Sequence, residues 1–201
     1  MFKQRNVIPI LFALFINLAT ATAAVSPLSV SVLPPVQFPP GDFTVTGARA
    51  SLLWGKHHAI YGLDLGLIGN ITTQNFVGIA ASGIFNATTG TTHILGLQLA
   101  GITNVNTNKT SVYGMQLAGL VNMNTAESKV VGLQAALLAN LADHTKVYGV
   151  QFGLYNNALE VYGLQIGLVN VTENLHGVQI GLINFNHKGV FAVAPILNVG
   201  F

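Results

Sequence analysis

The decapeptide VYGLQIGLVN at Val161–Asn170 is the unit from which most of this 201-residue chain is built. Close copies are VYGMQLAGLVN at Val112–Asn122, VYGVQFGLYN at Val147–Asn156 and LHGVQIGLINFN at Leu175–Asn186. The first glycines of successive units are Gly47, Gly62, Gly78, Gly96, Gly114, Gly132, Gly149, Gly163 and Gly177, which recur every 14 to 18 residues. Such short periods differ from those of helical and propeller repeats. Each unit therefore predicts one segment of about ten residues and a turn.

Within each unit, apolar residues alternate with small or polar ones. In VYGLQIGLVN, Tyr162, Leu164, Ile166 and Leu168 share one face, and Gly163, Gln165 and Gly167 share the other. A period of two is the pattern of a β-strand. We expect ten strands and no helix after the leader, at about 43–54, 60–70, 76–86, 93–104, 112–122, 130–140, 147–156, 161–170, 175–185 and 190–201.

Residues 1–23 have the pattern of a secretory signal peptide. Lys3 and Arg5 precede an apolar run, and Ala21-Thr22-Ala23 forms a small-residue cleavage site. Residues 24–42 are rich in proline and predict an extended N-terminal segment, and 43–201 form a single repeat domain. Without the leader the charges balance, so nothing indicates a nucleic-acid partner.

The composition favours a chain whose large apolar face meets lipid. Hydrophobic residues make up 51% of the sequence and charged residues only 7%, against about a quarter in soluble domains. Ten alternating residues, tilted, match the apolar band of an outer membrane. We therefore expect an all-β fold, a ten-stranded antiparallel transmembrane β-barrel. The alternative is a β-solenoid with its large apolar face inside and its Gly/Gln face in water; Asn recurring once per unit favours it, because such residues can stack as ladders.

A recurrent polar position is the candidate functional feature of the barrel. We expect an interior polar ring, able to form a narrow pore for a small polar solute or to plug itself. Its members are Arg49, Asp64, Gln98, Gln116, Gln134, Gln151, Gln165 and Gln179. The adjacent pair His57-His58 is not followed by ligands at metal-site spacing, and the sequence lacks cysteine and the common catalytic motifs. We expect no enzyme activity, cofactor or metal.

Two resemblances bear on location. The repeats GLQLAGITN, GVQFGLYN, GLQIGLVN and GVQIGLIN resemble those of bacterial surface-repeat proteins built from GLQ-x-GL-x-N units, over about Val45–Phe201. The final segment, alternating up to Phe201, resembles the C-terminal signature of outer-membrane barrels that the barrel assembly machinery recognises. The resemblances imply an exported protein of the bacterial outer membrane or cell surface, in contact with membrane lipid. The expected role is a pore or a structural envelope component, or, for the solenoid, an adhesion or interaction module.

Overall fold

The computed structural model describes residues 24–201, so the predicted signal peptide lies outside the described residues. The described chain consists of strands and short connections, with no helix between residues 24 and 201. The strands are β1 (Val25–Leu33), β2 (Val36–Phe38), β3 (Thr44–Ser51), β4 (Trp54–His57), β5 (Ala59–Gly66), β6 (Gly69–Thr72), β7 (Phe76–Ser82), β8 (Phe85–Thr88), β9 (Thr92–Ala100), β10 (Thr103–Asn106), β11 (Thr110–Ala118), β12 (Val121–Asn124), β13 (Ser128–Ala136), β14 (Ala139–Phe152), β15 (Tyr155–Ile166), β16 (Val169–Asn186) and β17 (Val193–Gly200).

Along the repeats, each strand segment pairs in parallel with the equivalent segment one repeat away. β11 lies parallel to β9 and β13, and places Gln116 opposite Gln98 and Gln134. β12 lies parallel to β10 and β14 in a second layer. The chain therefore winds as a β-solenoid of about nine turns, each with one strand segment in each layer. In β14, β15 and β16 the second-layer segment runs directly into the next turn.

The expectation of a ten-stranded antiparallel transmembrane barrel is wrong. Between residues 24 and 201, antiparallel pairing is confined to the two ends, where β2 joins β1 and β17 joins β16. The segment predicted as one strand over residues 112–122 contains most of β11, a corner at Gly119 and Leu120, and the start of β12. The spacing of the outer apolar residues lengthens from two to three at this corner, between Leu117 and Leu120, and this one-residue shift does not by itself reveal the change of direction.

Glycine provides a further corner inside the long strands. Gly132 has a φ of +130°, and a Cβ placed on it would lie 2.1 Å from the carbonyl oxygen of Gly114 in the preceding turn. Only glycine tolerates both that backbone conformation and that approach. Because the corner lies within an apparently continuous strand, a 14-residue repeat such as the one that contains Gly163 (φ +140°) has room for a complete turn.

The faces are also reversed relative to the predicted solenoid. The interior holds an apolar column, one residue per turn, together with columns of Gln, Asn and small residues. The apolar column consists of Val45, Ile60, Phe76, Ile94, Val112, Val130, Val147, Val161 and Leu175. The larger apolar residues of the repeat, such as Leu63 and Leu120, are on the outside. The large apolar face is therefore the exposed one, and the Gln face is the buried one.

The two ends of the solenoid are closed differently. At the N-terminal end, β1 forms an extra parallel rung on β3, and β2 folds back antiparallel onto β1. At the C-terminal end, β17 covers β16, which makes the last predicted unit a cap rather than another turn. Residues 24–201 contain no helix that is long and apolar enough to cross a membrane.

Candidate interaction surface

The six glutamines predicted to form an interior ring form a straight column instead. The Nε2 of each glutamine donates a hydrogen bond to the Oε1 of the glutamine in the preceding turn, from Gln179 back to Gln98, at 2.7 to 3.1 Å. All six side chains are buried. Stacked amides of this kind satisfy buried polar groups without water. The expected pore lined by this ring is wrong for the same reason as the barrel, because the glutamine column fills the interior of a solenoid.

A second amide column runs with the opposite polarity. From Asn70 to Asn184, the Nδ2 of each asparagine donates to the Oδ1 of the asparagine in the following turn. The same Nδ2 group also reaches a backbone carbonyl, as Asn104 does at Leu117, 2.8 Å away. The asparagines therefore tie together the corner between the layers, and the donor directions of the two columns are opposed.

Arg49 and Asp64 occupy the glutamine position in the first two turns of the column. Two hydrogen bonds join the Arg49 guanidinium to the Asp64 carboxylate, both at 2.6 Å, and both residues are buried. A third donor, Nη1, reaches the Ile71 carbonyl at 3.1 Å and Nδ1 of His57 at 3.2 Å. A charge pair that is removed from water in this way remains stable only when its hydrogen-bonding capacity is filled.

His57 completes this charged cluster in its neutral form. Burial, with the neighbouring Arg49 charge, lowers the pKa of His57 from 6.5 to about 4. Because Arg49 donates to Nδ1, the imidazole proton is on Nε2, which lies 3.2 Å from Oγ of Ser29 and 3.3 Å from the Pro39 carbonyl. The cluster thus fixes the N-terminal segment to the first turn, and its polar groups are directed at each other.

The outer surface carries apolar residues in register from turn to turn. One column on the first layer contains Leu63, Ile79, Leu97, Met115, Leu133, Val150, Leu164 and Val178. The corner between the layers, which we name the apolar edge, consists of Ile68, Ile84, Ile102, Leu120, Leu138, Leu154 and Leu168. Exposure at this edge reaches 53% for Leu168. We name the outer faces of both layers, together with this edge, the apolar surface.

Charged residues are concentrated on the other side of the solenoid. Eight of them lie where the second layer leads into the next turn, along what we name the polar edge: Lys109, Glu127, Lys129, Asp143, Lys146, Glu160, Glu173 and Lys188. Lys146 and Glu160, in adjacent turns, form an ion pair at 2.9 Å. Their mutual hydrogen bond raises the pKa of Lys146 and lowers that of Glu160.

Aromatic side chains mark the boundary between the polar edge and the apolar surface. Tyr148 stacks on Tyr162 with ring centroids 4.7 Å apart, and Tyr162 stacks on His176 at 4.5 Å. Lys129 from the polar edge lies over the Tyr148 ring, 4.8 Å from its centroid. The Tyr162 hydroxyl donates to Glu160 at 3.3 Å. Each ring therefore has charged groups on one side and the first-layer apolar column on the other.

An open groove of about 780 Å³ indents the apolar surface near the N-terminal end. It is lined mainly by apolar and small residues, among them Val30, Leu52, Leu67, Ala81 and Gly83. The small side chains of this part of the repeat leave the depression where later turns carry larger ones, such as Leu99 and Phe152. The groove continues the apolar surface and does not bring together groups suited to catalysis.

Nothing in the described part of the chain suggests a metal centre, since residues 24–201 contain no cluster of three or more histidine, cysteine, aspartate or glutamate side chains that could hold an ion. Comparisons with protein-family models, curated proteins and solved structures give no significant match. The function must therefore be inferred from the surface itself. The sequence pattern identified the polar position occupied by the glutamines, but it did not identify the apolar edge, whose members lie in segments predicted as strand ends.

Proposed function

We propose that this chain is an exported β-solenoid surface protein that acts as a non-enzymatic interaction module of the bacterial cell envelope. The observation that carries the proposal is the apolar surface, which runs in register along the solenoid while the interior polar groups bind each other. Monomeric soluble proteins rarely expose contiguous apolar patches beyond a few hundred Å². A surface of this extent favours a protein that works by contact.

Export is supported by features of the sequence. The first 23 residues have the pattern of a cleaved leader, and the repeats resemble those of exported surface-repeat proteins. The absence of cysteine is compatible with an oxidising compartment. These features favour the cell envelope as the place where the apolar surface meets its partner.

The interior supports a structural role over a catalytic one. A catalytic site needs polar groups that are free to contact a substrate. The buried Gln and Asn side chains are instead joined in ladders, and Arg49, Asp64 and His57 are bound to one another. The polar chemistry of the solenoid is thus used to build a rigid rod that presents the apolar surface.

Fractionation of cells that express the full chain tests this proposal. We expect a mature protein that begins at Ala24, is found in the envelope fraction and is released by Leu120→Lys combined with Leu138→Lys. The matched control, Ser111→Lys with Ala126→Lys, adds the same charge at the polar edge and should stay in the envelope. An uncleaved cytosolic chain, or equal retention of both variants, would contradict the proposal.

A further inference from the structure

We infer that a lipid bilayer covers the apolar surface, with the solenoid lying in one leaflet and the polar edge in water. The inference rests on the proposed function and names the partner of the same surface. Charge is separated along the solenoid. Of the charged residues between 24 and 201, Arg49 and Asp64 are buried, Asp42 lies near the N-terminal end, and eight follow the polar edge; Lys56, on the outer face of the first second-layer strand, is the one exposed charge on the apolar surface. Such a division between two sides of one rod matches the division between water and hydrocarbon.

The shape of the apolar surface favours lipid over a second copy of the chain. Exposed apolar residues lie on both sides of the apolar edge, for example Met115 on the first layer and Ile183 on the second, and also on the edge itself at Leu120. A flat partner can cover only one of the two layers. A fluid phase surrounds the edge and both layers at once, so lipid leaves none of the three in water.

The backbone is suited to this environment because the sides of the solenoid expose few unpaired peptide groups. A peptide group in hydrocarbon must find its hydrogen bonds inside the protein. In β11 each residue from Thr110 to Ala118 has a partner in β9, and those from Ser111 onward also have one in β13. The corner is closed in the same way, since the Leu120 amide donates to the Ile102 carbonyl at 2.9 Å.

Three tyrosines lie where the chain would meet the lipid headgroups. Tyr113, Tyr148 and Tyr162 lie between the polar edge and the first-layer apolar column. Tyrosine favours the interface because its ring is apolar and its hydroxyl is polar. From Tyr113 to Ala118 the chain takes five residue steps, which reach at most about 17 Å when fully extended. This length is comparable with one leaflet, roughly half of a 30 Å hydrocarbon layer.

Trp54 makes the inference testable in the purified mature protein, because it is the sole tryptophan of the sequence and lies on the outer side of the second layer. We expect the protein to bind phosphatidylcholine vesicles at high salt. Bromine atoms on the acyl chains should reduce Trp54 fluorescence by about half. The matched control combines Trp54→Phe with Ala126→Trp at the polar edge. Its emission should be insensitive to the brominated chains and quenched by iodide in the water.

Two double variants distinguish a lipid partner from a second copy of the chain. Leu120→Lys with Leu138→Lys should weaken vesicle binding by at least about tenfold, since lysine is strongly disfavoured in hydrocarbon. Ser111→Lys with Ala126→Lys should leave the binding unchanged; circular dichroism checks the fold of both. Binding that disappears at high salt without bromine quenching overturns the inference. The protein could instead self-associate without binding vesicles, and lose that self-association in the Leu120/Leu138 variant. This result would overturn lipid as the partner but would still support the proposed interaction module. If the protein shows no vesicle binding and no self-association, both proposals are overturned.

Discussion

Gln134 donates a hydrogen bond through Nε2 to Oε1 of Gln116 in the preceding turn, at 2.9 Å, and both side chains are completely buried. The same side chain accepts from Gln151 at 2.9 Å. One amide thus joins three successive turns through the interior. This relationship explains how a solenoid can hold polar residues inside and leave its large apolar residues outside.

Replacing Gln134 with leucine should destabilise the solenoid by about 2–4 kcal/mol, because it leaves the Gln116 oxygen without a donor and removes an acceptor from Gln151. Denaturant unfolding measures the change. The control is Leu133→Gln, one residue away and directed outward, which should have a much smaller effect. Equal losses in the two variants would mean that the assigned inside and outside are incorrect.

A methyl group at Gly132 should be far more damaging than one at Gly153. At Gly132 the φ of +130° and the Gly114 carbonyl both oppose a side chain. Gly153 does not have a positive φ, and a Cβ placed on it would lie 2.9 Å from the Ala136 carbonyl oxygen, a tighter contact than usual but a much smaller clash than at Gly132. We expect a loss of about 3 kcal/mol or more for Gly132→Ala and about 1–2 kcal/mol for Gly153→Ala. Thermal unfolding measures both losses. A similar decrease of the melting temperature in the two variants would contradict the glycine corner.

Phe76 and Ala80 should be energetically coupled. In the turn formed by β7, the apolar column has Phe76 instead of valine or isoleucine, and the polar column has Ala80 instead of glutamine. The larger ring compensates for the smaller neighbour in the same core. Phe76→Val alone should leave a cavity and Ala80→Gln alone should overpack, each losing about 1–3 kcal/mol. The double variant should recover at least half of the summed loss in a double-mutant cycle, and simple additivity would refute the coupling.

Acid should weaken the N-terminal turns through His57. The folded-state pKa is lowered to about 4, against 6.5 for a free imidazole. The unfolded chain therefore binds the proton first as the pH falls. The contribution of His57 is complete above pH 6.5 and is lost between about 6.5 and 4, at most about 3 kcal/mol. His57→Thr, which copies Thr72 of the next turn, should remove this dependence. The test is the free energy of unfolding of both proteins, measured between pH 4 and 6.5. If this free energy falls with pH as steeply in the variant as in the original chain, His57 is excluded as the cause.

Much of the local pattern could be predicted from the sequence. The repeats and their period of two predict the alternation, the glycine register and the outward direction of Leu164 and Ile166. They also predict that Arg49 and Asp64 share the position of the glutamines. The architecture could not be predicted because a positive-φ glycine turns the chain without interrupting the alternation. A strand that bends at Gly163 and one that runs straight through it have the same sequence pattern, and only the pairing of Gln165 with Gln151 and Gln179 distinguishes them.

The in-register stacking of turns is tested most directly by spin-label distances along one outward column. The sequence lacks cysteine, so label pairs can be placed at Leu63 with Leu97, with Leu133 and with Val178 without interference. These pairs are two, four and seven turns apart. With about 4.8 Å between parallel strands, we predict backbone separations near 10, 19 and 34 Å, which increase linearly with the number of turns. Distances that rise and then fall, with the Val178 pair closer than the Leu133 pair, would show a closed ring of strands and contradict the solenoid.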